Sequence, residues 1–214
     1  ADGSIKTGPA AHNYGEDGKC TVCGEYNTKG VTYAYADGTY YVTGYTGSDT
    51  TVNVLGKYND GFNGEYDVTY IAAECAWGTT VTKIILPESI TGFGGNSFQS
   101  ATNLEYISMT GVKELTTTNN FINCGKITTV IVHKDFQLTT QQFKKHDSVE
   151  SAKIDIYVNG KKDDSTFTYV NIPNEGKGNE FLTGKIYYYS ESSPTDTENT
   201  YWHYGEDGFA TLWS

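Results

Sequence analysis

Aligned on an aromatic residue, the stretches SFQSATNLEYISM (from Ser97) and NFINCGKITTVIV (from Asn120) share few letters but one apolar skeleton. Phe98, Phe121 and Phe143 recur at intervals of 23 and 22 residues, and Leu104, Ile127 and Val149 keep the same intervals. Ile84, Ile107, Val130 and Ala152 form a third column, and Leu86, Met109, Val132 and Ile154 a fourth. Four columns in one register mark an internal repeat, and a unit this short cannot bury its own apolar side. Successive units must stack so that the columns merge into one core.

Each unit carries an apolar dyad, as in Ile84-Ile85-Leu86 or Ile107-Ser108-Met109. Strand side chains alternate, so the outer members of a dyad point inward and the middle one outward. Pairing the dyads gives a parallel sheet on one flank. Its outward ladder reads Lys83, Tyr106, Thr129 and Ser151 in one column and Ile85, Ser108, Ile131 and Lys153 in the next. Lys83, Ile85, Tyr106, Ser108, Thr129 and Ile131 are the expected ligand-binding residues, because solenoids present their extended sheet face to partners.

The pattern VTKIILPESITGFGGNSFQSATNLEYISM combines a strand, a Pro-Glu-Ser step, the Phe anchor and a small residue at Ala101 or Cys124. It resembles the BspA-like leucine-rich-repeat family of bacterial surface proteins over roughly residues 68–158. The resemblance implies a short right-handed solenoid of about three full turns. It also implies a secreted or cell-surface protein without catalytic activity that adheres to an extracellular protein or glycan.

Solenoid ends need covers, and both flanks read as β caps. The expected organisation is a CxxC-bearing tail over residues 1–30, an N-terminal β cap over 31–67, the repeats over 68–158 and a C-terminal β cap over 159–214. Upstream, VTYAYADGTYYVTGY reads as a hairpin turning at Asp37-Gly38, with TTVNVL (residues 50–55) pairing on. Downstream, Asn159-Gly160 separates two alternating runs and reads as another hairpin turn. The fold class is mainly β, in keeping with 24 Gly, 4 Pro and 18 Tyr in 214 residues.

A net charge of −11 repels phosphate backbones, so nucleic acid is not an expected partner. No apolar run is long enough to insert in a membrane, and the first thirty residues lack a signal-peptide layout. Met109 is the only methionine, so the expectation is that Ala1 is not a translation start and that an upstream segment has been removed.

His12, Cys20 and Cys23 in HNYGEDGKCTVCG resemble part of a structural zinc site, with the fourth ligand missing. No other cofactor is expected. Cys124 shares a column with Ala101 and reads as core filler. YGEDG, at residues 14–18 and 204–208, reads as a turn, since a Ca²⁺ loop needs about six or more oxygen ligands. His133-Lys134-Asp135 lacks the spacing that would put His and Lys on one catalytic face. The rival function is a carbohydrate-binding module using C-terminal aromatics such as Tyr201 and Trp202.

Overall fold

The computed structural model describes residues 13, 15, 18–22, 26–117, 119–139, 153–170, 182–195 and 201–213. The described residues form short strands and turns with no α-helix. β1 (Val31–Ala36) and β2 (Thr39–Tyr45) make the expected antiparallel hairpin, with Asp37 and Gly38 at φ 51° and 81°. Two consecutive positive φ values give a turn whose twist matches its strands, and Asp-Gly adopts it at low cost. β3 (Thr51–Asn53) comes next, then a hairpin of β4 (Lys57–Asn59) and β5 (Glu65–Ala76). The chain then coils through β6 (Lys83–Ile85), β7 (Gly92–Phe93), β8 (Tyr106–Met109), β9 (Thr129–His133), β10 (Gln137–Thr139) and β11 (Lys153–Asn159). β12 (Thr168–Val170), β13 (Leu182–Tyr189), β14 (Tyr201–Tyr204) and β15 (Ala210–Leu212) complete it.

One flank is a sheet ordered β15-β14-β13-β11-β9-β8-β6-β3, parallel at every step from β3 to β14. The other flank carries further parallel contacts, β2 with β5, β5 with β7, and β10 with β12. Parallel neighbours demand a crossover each time, and here the crossover is the remainder of a coil. The chain is therefore a β-solenoid, and its parallel pairing starts with β2 beside β5 and reaches β14, beyond the three turns expected from the repeat.

Register follows expectation as far as β9, with Ile84 opposite Ile107 and Ile107 opposite Val130. It then departs: Val130 faces Ile156 and Val132 faces Val158, where the repeat spacing predicts Ala152 and Ile154. Ile154, Ile156 and Val158 are all buried. An even-numbered slip keeps every side chain on its own face, so an alternating strand does not fix its register by pattern alone.

Two pairings differ from the sequence reading. TTVNVL does not extend the first hairpin; β3 joins β6 in parallel, with Val52 beside Ile84 in the solenoid core. Asn159-Gly160 does not close a hairpin either, because β12 runs parallel to β10 in the next coil. A side chain at Gly160 would strike Lys134 Cβ at 2.4 Å, so the glycine admits the neighbouring coil.

Inside the solenoid, Trp77, Phe98 and Phe121 stack like rungs, with centroids 5.5 and 4.9 Å apart and planes within 14° and 7°. Phe143 lies outside the described residues, as do Val149 and Ala152. Trp77 continues the stack through an irregular unit that the spacing passed over. Ala101 and Cys124 are buried in one column as expected, and Cys124 Sγ donates to the Phe98 carbonyl at 3.2 Å. Each large apolar side chain taken from water contributes roughly 1.5–3 kcal/mol. Two buried polar side chains here are satisfied: Trp77 Nε1 donates to the Ser97 carbonyl at 2.9 Å, and the Ser97 hydroxyl to the Ala72 carbonyl at 3.0 Å.

Candidate functional site

The outward positions of the parallel flank fall in two rows. One aligns Lys83, Tyr106 and Thr129, the other Ile85, Ser108 and Ile131, so the six residues named from the sequence stand side by side. Beyond β9 the rows continue to Asp155 and Tyr157, four residues past Ser151 and Lys153, because of the slipped register.

These rows do not form an open surface. Tyr106, Ile131, Tyr157, Tyr187 and Trp202 make a second buried cluster, with Ile85, Tyr189, Phe209 and Ala210 packed against it. Its cover is the β14–β15 hairpin, which pairs with β13 only at Tyr201 and Trp202 before passing over the face of the sheet. Trp202 is wholly buried, its Nε1 donates to the Val158 carbonyl at 3.0 Å, and its ring meets Tyr157 edge-on at 5.8 Å. At the far end Phe209 meets Tyr106 edge-on at 5.2 Å, and Lys83 Nζ sits 4.0 Å from the Phe209 ring centre. That last contact is a cation–π pair.

Burial raises the Tyr106 hydroxyl above its ordinary pKa, opposed by a hydrogen bond to the Ala210 backbone, and pushes Tyr157 up to about 12. Both phenols stay neutral at physiological pH. Of the six residues, Tyr106, Ser108 and Ile131 are buried, while Lys83, Ile85 and Thr129 remain half-buried along the rim. Tyr204 and Leu212 on the hairpin are 42% exposed each, and Tyr204 meets the Trp202 ring edge-on at 4.9 Å.

The turn at 204–208 forms as the sequence reading expected, but that reading missed the hairpin's place over the ladder, and a signal for it was present. Ile85, Tyr106, Ile131 and Tyr157 are too apolar for a solvent-facing ladder, and strands apolar on both sides are buried on both sides. The Tyr204–Gly208 copy of YGEDG forms the turn between β14 and β15, with Gly208 at φ 78°. Trp202 offers no free ring face for a sugar, which removes it from the carbohydrate reading of the C-terminal aromatics.

Reactive chemistry is not assembled elsewhere among the described residues. Cys75 and Cys124 are buried thiols pushed up to about 12 by desolvation. His133 Nδ1 accepts from the Asp135 backbone N–H at 3.0 Å, and Asp135 Oδ1 accepts from Thr166 Oγ1 at 2.9 Å. The His-Lys-Asp segment thereby ties one coil to the next. Cys20 is buried, whereas His12 and Cys23 lie outside the described residues. No three His, Cys, Asp or Glu among the described residues come together as metal ligands, and no described helix is long and apolar enough to cross a membrane.

The chain resembles solved leucine-rich-repeat proteins at low identity. A leucine-rich cell surface protein of Faecalibacterium prausnitzii is 16% identical over 88% of this chain and 60% of its own, with a TM-score of 0.43. A leucine-rich-repeat protein of Bacteroides ovatus is 18% identical over 69% of this chain and 41% of its own, with a TM-score of 0.46. The leucine-rich-repeat protein of T. pallidum is 13% identical over 75% of this chain and all of its own, with a TM-score of 0.43. This chain thus spans 60% of the length of the Faecalibacterium protein. No curated protein is a significant relative. Residues 62–174 match six copies of the BspA-type leucine-rich repeat region, and with the repeated columns and the coiled parallel sheet this places the chain in the BspA-type leucine-rich-repeat family.

Proposed function

We propose that this chain is a non-catalytic binding protein of the bacterial surface or the extracellular space, recognising a host or bacterial protein or glycan. The docking surface is the parallel flank in composite form. Lys83, Ile85 and Thr129 contribute the solenoid side of the rim, and Tyr204 and Leu212 the hairpin side. Tyr106, Ser108 and Ile131 form the floor that holds the two in register.

The observation that supports this reading is the alignment of Lys83, Ile85 and Thr129 on neighbouring strands of one parallel sheet, in a solenoid, an architecture whose stacked repeats create extended binding surfaces. Rigid presentation lowers the entropy lost on association. The buried thiols and the backbone-committed His133 support the non-catalytic part, since neither offers an activated nucleophile or a free base.

The test is saturable binding to immobilised extracellular-matrix proteins and to a glycan array, with Lys83→Glu/Thr129→Glu and Tyr204→Ala/Leu212→Ala as separate double variants. A loss of about tenfold or more in affinity for the same probe in both variants is expected, by analogy with truncation of interface anchors. Unchanged affinity in both variants for every bound probe would remove the flank as the docking surface.

A further inference from the structure

Phe62 is 94% exposed, at the tip of the loop joining β4 to β5. A large apolar side chain so fully in water normally sits on a mobile loop, yet this loop is tied down on every side. The Asp60 carboxylate accepts from the backbone N–H groups of Phe62 and Asn63, both at 2.9 Å, and from Asn63 Nδ2 at 2.7 Å. Asn59 Oδ1 accepts from the Gly61 N–H at 2.8 Å. From beneath, the hydroxyl of the buried Tyr40 accepts from the Asp60 N–H at 3.1 Å and donates to the Gly64 carbonyl at 3.0 Å, bridging the two ends of the loop. An aromatic ring held out in this way has already lost the freedom that docking would otherwise remove.

The surroundings of the tip define a complementary partner. Tyr35 and Tyr66 lie beside it with centroids 5.3 Å apart, and Tyr66 is itself 39% exposed. The carboxylates of Asp37 and Asp60 both act on the Tyr35 hydroxyl. Lys57 pairs with Asp67 at 2.7 Å and Lys19 pairs with Glu65, whereas Asp37 and Asp60 have no lysine at ion-pair distance among the described residues. Exposed aromatic rings beside uncompensated carboxylates attract cations, by charge and through the ring faces. A bilayer fits less well, since anionic lipid would be repelled and a single Phe buries little surface.

We propose that the β4–β5 tip is a docking element for a basic segment of a partner protein, with Phe62 anchoring an apolar side chain of that segment and Asp37 and Asp60 receiving its Lys or Arg. This site is separate from the parallel flank and stands whether or not that flank binds anything.

The probe is an array of twelve-residue peptides combining Lys or Arg with Leu and Trp, against a second array with Glu in place of the basic residues. Binding to the basic array is expected, with about tenfold loss for Phe62→Ala and a severalfold loss for Asp37→Asn, which keeps the turn geometry. Raising salt should weaken the intact protein more than Asp37→Asn. Lys83→Glu/Thr129→Glu should leave this binding unchanged, which separates it from the flank. Equal binding of both arrays, indifference to Phe62→Ala, or Phe62-dependent binding to phosphatidylcholine–phosphatidylglycerol vesicles in place of peptides would each overturn the proposal.

Discussion

The two faces of the parallel sheet are both covered, the inward one fully and the outward one in part, by unlike means. Inward, Ile84, Ile107, Val130 and Ile156 stand in a row of aliphatic side chains contributed one per coil. Outward, the matching rows meet Trp202 and Phe209, which arrive from a single hairpin at the C-terminal end of the chain. The inner core is periodic because stacking forces each unit to supply the same kind of side chain at the same place. The outer core is made once. Its energetics belong to aromatic contacts and one cation–π pair, and its occupancy depends on 13 described residues, 201–213, staying in place.

This contrast predicts different responses to truncation. Phe98→Ala removes the middle rung between Trp77 and Phe121, and the cost should be about 4 kcal/mol, spread over the whole solenoid. Chemical denaturation followed by far-UV circular dichroism would show the entire transition moving to lower denaturant. A change confined to one segment would mean that the coils do not share a core.

Trp202→Ala should cost less, about 3 kcal/mol, and the loss should be local. Hydrogen exchange would accelerate in β14 and β15 while the amides of β8 and β9 keep their protection. If β8 and β9 loosened equally, the hairpin would be integral to the solenoid and the distinction between two cores would fall.

The same contrast explains what could be read from the letters. The inner columns, the Asp37-Gly38 hairpin, the buried role of Cys124 and the positions of Lys83, Ile85, Tyr106, Ser108, Thr129 and Ile131 follow from local rules of period and turn chemistry. The slip at β11 was hidden because Ile154, Ile156 and Val158 satisfy either register. The cover on the ladder was hidden for another reason. A contact such as Tyr106 with Phe209 joins residues more than a hundred positions apart and obeys no spacing, although the apolar character of Ile85 and Ile131 betrayed that something must cover them. Phe62 was unreadable as an exposed residue because its loop is set by hydrogen bonds from Asp60 and Tyr40, and hydropathy alone would place a Phe inside.

The most direct test of the two-core account is the alkylation rate of the cysteine introduced by Ile131→Cys, measured with iodoacetamide and localised by mass spectrometry. Ile131 is fully buried beneath the hairpin, so the account predicts labelling as slow as that of native Cys124, and acceleration when Trp202→Ala is added. Labelling in the otherwise intact chain at the rate of a denatured control would contradict it, because the outer face would then be open to solvent.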